Sequence, residues 1–337
     1  MVLTLKSPSR IHIGLVDLNG SIGRVDGGMG ISLDYPNFLI EGRESSEIEI
    51  EFNINKKIID NNLENTLKSI KNRLLTISKK ILNYIGEDGV YIKVKDIIPL
   101  HSGLGSGTQM ALSTGMIISK IYNRNLDVKT LSDITGRGGT SGIGVYSFEK
   151  GGFIIDGGHT FGSGKDKENF APSSASKNVR TPPLLFRRDF NWNIVLTIPK
   201  GENIYGDGEA DLFKKHCPIP LNETQRICHI ILMKMLPAIV EGDIVPFGEG
   251  INELQYLGFK KIELDIQRGI VKDLLKELQG IGYSGLSSFG PTIYSICEDK
   301  EGLKRVVETS EGFFDNHGID GDIIITKCNN EGFKLNK

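Results

Sequence analysis

Hydrophobic alternation and helical spacing divide the chain into a β-rich beginning and a mixed second half. Residues 2–6, 10–15, 30–34, 38–43 and 48–52 alternate as strands do, broken by turn formers at Pro8, Asn19-Gly20 and Gly27-Gly28. Apolar residues at 63, 67, 70, 74, 77, 81 and 85 then recur in steps of three and four, which predicts one long helix over 63–85 covering that sheet. Residues 91–97 alternate again, 109–122 read as a helix, 127–135 as a short capped helix and 151–156 as a strand. From Trp192 the pattern gives a strand at 192–199 and helices near 221–240, 244–256 and 270–278. Strands at 292–298 and 322–326 follow, an α+β arrangement. Trp192, at the head of a core strand, reads as packing.

Between the strand at 91–97 and the helix at 109–122 lies PLHSGLGSGT, residues 99–108. Glycines at 103, 105 and 107 let backbone approach an anion closely, and the loop delivers its N–H groups to a helix N-terminus where the dipole also favours negative charge. Ser102, Ser106 and Thr108 add hydroxyls for phosphate or Mg²⁺, with Leu104 between the glycines. No lysine follows, so the loop is not a Walker A motif, and Thr108 occupies the place of the third glycine in the dinucleotide fingerprint.

Three other glycine and hydroxyl clusters accompany it. Residues 7–34 hold Arg10, His12, Asp17, Arg24 and Asp26 among tight turns. Arg24 and Asp26 beside Gly27-Gly28 suit an anionic substrate and a sugar or metal, while solvated turn charges are the competing account. His12 is in phase with Arg10 and out of phase with Ile11 and Ile13, so it faces away from the apolar side, toward either site or surface. GRGGTSGIG at 136–144 contributes Arg137 as an anion-binding candidate, and Ser287 and Ser288 sit in a turn before the strand at 292–298.

With 337 residues, 39% hydrophobic and 24% charged, the composition is that of a globular protein of two domains. Lys+Arg 40 against Asp+Glu 42 leaves a formal charge of −2 and no basic cluster, which argues against nucleic acid and for a small-molecule partner. No apolar run approaches membrane-spanning length and no secretory signal opens the chain, so a cytoplasmic location is expected. Cysteines 217, 228, 297 and 328 form no Cys-x-x-Cys pair and read as free thiols. The mirrored His216-Cys217 and Cys228-His229 dipeptides place neighbouring residues too far apart around a helix to share one metal. Residues 157–188, rich in Gly, Ser, Lys and Pro, read as a lid or an interdomain crossing.

The N-terminal segment, PLHSGLGSGT and the late glycine turn together resemble the GHMP superfamily of small-molecule kinases. The central motif of that superfamily, Pro-x-x-x-Gly-Leu-x-Ser-Ser/Gly, is matched at Pro99, Gly103, Leu104, Ser106 and Gly107. The resemblance implies an α+β fold with a left-handed βαβ domain at 1–160, a crossing at 161–188 and a ferredoxin-like domain at 189–337, with the site in the cleft between them. GGTSGIGVYSF resembles the kinase turn that carries the hydroxyl-activating aspartate, yet Gly144 stands in that place.

The segments PSRIHIGLVDLNGSIGRVDGGMGISL, GRGGTSGIGVYSFEKGGFIIDGGH and GLSSFGPTIY are similar to one branch of the superfamily, the β-ribofuranosylaminobenzene 5′-phosphate synthases of archaeal methanopterin biosynthesis. That resemblance implies a decarboxylating phosphoribosyltransferase joining 5-phosphoribosyl-1-pyrophosphate (PRPP) to 4-aminobenzoate or 4-hydroxybenzoate, with release of CO₂ and pyrophosphate. It also implies a homodimer using Mg²⁺. Under it, residues 102–108, Arg10, Arg137, Ser287 and Ser288 bind the anions, and Arg24 or Arg10 holds the benzoate carboxylate or the 5′-phosphate. Asp26 faces the ribose or the developing cation, and Ser106 with Glu149 approaches Mg²⁺. Asp156 and His159 contact ribose hydroxyls, protonate a leaving group or merely cap their own turn. A GHMP kinase needing Asp156 or Asp26 as replacement base is the second reading, and a non-catalytic nucleotide-binding regulator the third.

Overall fold

The computed structural model describes residues 1–54, 63–172, 175–176, 179–201 and 207–336. Two very long strands, β1 (Leu3–Asp17) and β2 (Arg24–Arg43), form an antiparallel hairpin at the centre of the first sheet. Each fuses two segments that the alternation separated at Pro8 and around Tyr35-Pro36. The strands continue through these points because register shifts between Pro8 and Ser9 and between His12 and Gly14 absorb the mismatch.

After β3 (Ile48–Phe52), the helix α1 (Leu63–Ile85) crosses to β4 (Val90–Asp96), which lies parallel to β3 as a βαβ connection requires. The α1 stripe buries Ile70, Leu74, Ile77 and Ile81, while the side chain of Leu63 lies outside the described residues. Then come α2 (Ser106–Ile121), α3 (Val128–Thr135), capped by Asp127, and α4 (Ile143–Glu149). Helix α2 is buried along nearly its whole length, which explains why its sequence is apolar all round rather than striped. Strands β5 (Phe153–Asp156), β6 (His159–Thr160) and β7 (Leu184–Arg188) complete this side, β5 pairing with both β2 and β7.

The second sheet begins with β8 (Asn193–Pro199). Helices α5 (Asp207–His216) and α6 (Leu221–Ile230) follow, with α6 running through a π-helical turn, Ile231–Met235, into α7 (Leu236–Glu241). Helices α8 (Ile244–Leu254), α9 (Gly258–Asp265) and α10 (Gly269–Gln279) lead to β9 (Tyr283–Leu286), β10 (Ile293–Cys297), α11 (Lys300–His317) and β11 (Gly321–Thr326). Its order β11-β8-β10-β9, antiparallel throughout, puts the fourth strand beside the first and the third beside the second, the ferredoxin-like arrangement. Helices α5, α9 and α11 escape a periodicity reading because each is short or dominated by charged residues.

The two halves interlock more than a simple division at 161–188 suggests. Strand β7 falls inside that stretch yet joins the first sheet, and β12 (Lys334–Asn336) returns to pair with β1. One apolar core runs from Leu5 and Ile31 through Phe153 to Phe247 and Tyr294, with Phe153 and Phe247 edge to face at 5.4 Å. Trp192 packs in this core against Phe190 and Phe247, 5.1 and 5.2 Å between ring centroids. In the crossing, residues 173–174 and 177–178 lie outside the described residues. The rest is fastened down by a Phe161–Lys167 bridge and by Ser176 Oγ, 3.1 Å from Thr140 Oγ1.

Candidate active site

A cavity of about 230 Å³ opens where the two halves meet. Arg10 and His12 on β1, Thr108 on α2, and Arg137, Thr140, Ser141 and Gly144 from the second glycine cluster form its first wall. Glu209 and Phe213 on α5, Glu263 on α9, and Ser288 and Phe289 form the other. Leu15, Phe213 and Phe289 belong to one apolar cluster, so the cavity has apolar lining beside its charged groups.

The phosphate loop is locked in place from the far half. Gly103 has φ +80°, and a Cβ there would lie 2.2 Å from the carbonyl oxygen of Ser287, so both conformation and space demand glycine. Ser287 Oγ donates to the Gly103 carbonyl at 2.8 Å and accepts from the His12 N–H at 3.1 Å, while Thr292 Oγ1 donates to the Ser102 carbonyl at 2.5 Å. Ser102 Oγ donates to the Pro99 carbonyl at 2.8 Å, and Leu104 is buried; both shape the loop. Gly105, also left-handed, is the N-cap of α2 and supplies no side-chain acceptor, so the N–H groups of Ser106 and Gly107 have no acceptor among the described residues.

Two guanidiniums flank these donors. Arg10 stands against Gly105 and donates to the Gly103 carbonyl, and burial lowers its pKa to about 10 despite the opposing pull of Glu263. Arg137 lies 3.5 Å from where a Gly107 Cβ would sit. Its guanidinium has no hydrogen-bond acceptor among the described residues, and burial together with Arg73 depresses its pKa. An unpaired, desolvated cation beside free helix N–H groups is a ready anion site.

Behind the cavity two buried carboxylates are held very differently. Asp156 Oδ2 accepts from the Gly142 N–H at 2.8 Å and Ser141 Oγ at 3.3 Å, and its Oδ1 accepts from the Gly158 N–H at 3.0 Å. Burial raises its pKa to about 6 against those bonds, with Asp26 adding to the rise. A Cβ on Gly28 would fall 2.2 Å from Ser141 Oγ and 2.6 Å from Asp156 Oδ2, so the missing side chain makes room for this contact. Ser141 Oγ also lies 3.2 Å from His12 Nε2. His12 Nδ1 is buried without a partner among the described residues, and burial, Arg10 and Lys260 hold the ring's pKa well below the usual histidine value.

Asp26, at φ +68°, is clasped by Lys167 Nζ at 2.9 and 3.1 Å and by His159 Nδ1 at 2.7 Å. His159 Nε2 meets the Arg180 carbonyl at 2.8 Å, so both ring nitrogens are spoken for. Lys167 also donates to the Ala171 carbonyl at 3.1 Å, which straps the crossing to the first sheet.

Several expected site residues therefore stand elsewhere. Arg24 does not enter the cavity: it donates to the carbonyls of Gly157 and Gly158, at 3.2 Å for the latter, and borders a separate apolar depression with Ile22, Leu185 and Leu232. Asp26 and His159 satisfy each other behind the wall instead of facing a ribose. Glu149 is exposed at the far end of α4, 3.6 Å from Lys150, because the helix that begins at the cavity carries its last residue away from it. It cannot share a cation with Ser106 at the start of α2, and among the described residues no three His, Cys, Asp or Glu side chains converge as a metal cage.

Other residues lacked a signal in the sequence. Ser141 and Thr140 were legible only as hydroxyls among glycines, and Lys167 sits in a stretch of low-complexity composition. Lys260, which donates to the carbonyls of Leu286 and Ser288 at 3.2 and 3.3 Å and pairs with Glu263, lies on α9, too short a helix to announce itself. Gly144 carries no base, and a Cβ there would press on Thr108 Cγ2 at 3.1 Å, a tight contact that asks the threonine to give by a few tenths of an ångström.

Comparison with known proteins places this geometry. Residues 70–152 match the family model of the GHMP kinases N terminal domain, and residues 235–311 that of the GHMP kinases C terminal region. The chain is 56% identical over 333 residues to the beta-ribofuranosylphenol 5′-phosphate synthase of Methanocaldococcus jannaschii, covering 99% of this chain and 100% of that protein. It is 41% identical over 336 residues to the synthase of the same name from Archaeoglobus fulgidus, covering 99% of both. Among solved structures, homoserine kinase from Cytophaga hutchinsonii superposes with a TM-score of 0.64 at 16% identity, over 99% of this chain and 97% of that one. That likeness concerns the fold alone.

Proposed function

The chain belongs to the family of the beta-ribofuranosylphenol 5′-phosphate synthases, and from that premise we propose that it is the decarboxylating phosphoribosyltransferase of methanopterin biosynthesis. The donor is PRPP. A phenol product whose ribosyl group replaces a carboxylate requires 4-hydroxybenzoate as acceptor. The bond from C1 of the ribose to pyrophosphate breaks with its electrons leaving on the pyrophosphate. The ring carbon bearing the carboxylate bonds to C1, and loss of CO₂ returns an electron pair to the ring.

The observation that carries this reading is that the anion site is intact while the base of a kinase is not. Arg137, Arg10 and the free N–H groups of Ser106 and Gly107 suit the negative charge building on a leaving pyrophosphate. Asp156 and Asp26, the residues that would have to replace the kinase aspartate at Gly144, have their oxygens committed to Gly142, Gly158, Ser141, Lys167 and His159. Glu263 is ion-paired with Lys260, and burial next to Glu263 raises the pKa of Glu209. Leu15, Phe213 and Phe289 offer the apolar side an aromatic acceptor needs.

The pair first expected to hold Mg²⁺, Ser106 and Glu149, does not fit a shared ion. Magnesium therefore belongs to this reading as a component of the pyrophosphate substrate, chiefly ligated by phosphate oxygens. For assembly, the exposed side chains of Ile22, Leu185 and Leu232 around the apolar depression support a homodimer. No helix among the described residues is long and apolar enough to cross a membrane.

The deciding experiment supplies PRPP, Mg²⁺ and carboxyl-labelled 4-hydroxybenzoate and follows labelled CO₂ beside an ATP-only control. Release that depends on PRPP is expected; ATP consumption with a small alcohol and no CO₂ would restore the kinase.

A further inference from the structure

The charged residues that line the cavity are sorted by wall: Arg10 and Arg137 belong to the first, Glu209 and Glu263 to the other. The two carboxylates are not equivalent. Glu263 is buried and ion-paired with Lys260. Glu209 is only partly buried, and among the described residues its carboxylate has neither a hydrogen-bond nor an ion-pair partner. Its unbonded oxygens are not among the polar atoms shut away from solvent, so the group can be reached. Burial and the nearby charge of Glu263 also make it more basic than an ordinary glutamate. Phe213 follows Glu209 by four residues on α5, so the two share one face of the helix, and both line the cavity. An aromatic ring resting on Phe213 and Phe289 therefore has this carboxylate one helical turn from its support. The charge of the acceptor decides which of its ends meets Glu209. The carboxylate of 4-hydroxybenzoate is attracted by the two guanidiniums and repelled by the glutamates, whereas its hydroxyl is a donor that a carboxylate accepts.

We propose that Glu209 is a catalytic residue that accepts the hydroxyl of 4-hydroxybenzoate and takes its proton as the new carbon–carbon bond forms. This rests on the synthase reading above. A kinase would need its base beside the transferred phosphate, in the place of Gly144 on the first wall; Glu209 stands on the other wall, with the apolar residues. As the ring carbon bearing the carboxylate bonds to C1 of the ribose, pyrophosphate leaves with the C1–O electron pair. A lone pair of the para oxygen moves toward the ring, and its O–H becomes far more acidic than that of a free phenol, so a carboxylate is base enough to take the proton. A dienone carrying both carboxylate and ribosyl groups on one carbon results. Loss of CO₂ sends its bonding pair into the ring, and the oxygen recovers its proton from Glu209. No proton is gained or lost overall. An amino group at the same ring position shares its nitrogen lone pair with the ring without having to lose a proton, so 4-aminobenzoate does not need the base.

The test compares release of labelled CO₂ from the two acids in Glu209→Gln, which keeps the shape and an acceptor oxygen but not the charge, with PRPP and Mg²⁺ and folding checked by thermal melting. General-base catalysis contributes on the order of 10²–10⁴-fold. The expected result is that Glu209→Gln lowers kcat with 4-hydroxybenzoate at least about tenfold more than with 4-aminobenzoate. Equal losses with both acids, or a change confined to KM, would reduce Glu209 to a wall of the cavity and overturn the proposal. Should Glu209→Gln fail to fold, Glu209→Asp decides: it keeps the charge but draws it back by one methylene, and the same skew between the acids is expected, equal losses again counting against the base. A wild-type protein releasing no CO₂ from either acid would instead remove the synthase reading itself.

Discussion

Two buried histidines lie on either side of the same wall, and their surroundings are opposite. His159 has an oxygen on each ring nitrogen, Asp26 at 2.7 Å and the Arg180 carbonyl at 2.8 Å, and Lys167 completes the clasp on Asp26. His12 has Ser141 on one nitrogen and nothing on the other. A polar cluster that satisfies itself holds the fold together. One left short of a partner contributes less to the fold, because a buried polar atom without a bond is costly to keep. The same distinction separates Arg24, committed to two carbonyls, from Arg137, committed to none.

The contrast can be broken most forcefully at the satisfied cluster. Lys167→Met leaves Asp26 buried with half its compensation, and removing one partner of a buried pair costs about 3–5 kcal/mol. The melting temperature is expected to fall by several degrees, with the loss in turnover of the folded fraction smaller than the loss in stability. A normal melting curve would mean that the clasp is dispensable. At the unsatisfied side, Arg137→Ala should do the reverse. Its kcat/KM for PRPP is expected to drop on the order of 100-fold, about 2.7 kcal/mol of transition-state stabilisation, while stability holds or rises because no native bond is lost. A fall in melting temperature without a kinetic effect would move Arg137 from ligand binding to structure.

The gentlest probe is pH. Asp156 has a folded pKa raised to about 6 by burial and by Asp26, above the ordinary value of 3.8. Its contribution to stability is therefore fully present below the ordinary carboxylate value and is lost as pH rises through about 6. The melting temperature is expected to fall as pH rises from about 4 to about 6, and Asp156→Asn should flatten that fall. A melting temperature unchanged over that range would mean that burial does not raise the carboxyl of Asp156 in the folded protein.

How much of this could be read in the sequence depended on whether the signal was local. The phosphate loop was legible because glycine spacing at 103, 105 and 107 encodes a backbone shape, and the phase of His12 against Ile11 and Ile13 put it on the polar side of its strand. The long helix α1 was legible from its stripe. Arg24 and Glu149 misled because charge beside a glycine turn, or close to a motif, says nothing about which end of a helix or which face of a hairpin meets the cavity. Lys167 and Lys260 were silent because the contacts that place them, with Asp26 and with the Leu286 carbonyl, span 141 and 26 residues of sequence.

The aromatic core linking Phe153, Phe190, Trp192 and Phe247 bears on how the molecule handles its substrates. Phe153 comes from the first sheet and Phe247 from a helix of the second half, so a rigid swing of one half away from the other would have to tear this cluster open. Opening the cleft as a jaw would therefore cost the contacts of this cluster. Acceptors are then expected to be told apart by a mould whose shape changes little, rather than by a closing grip.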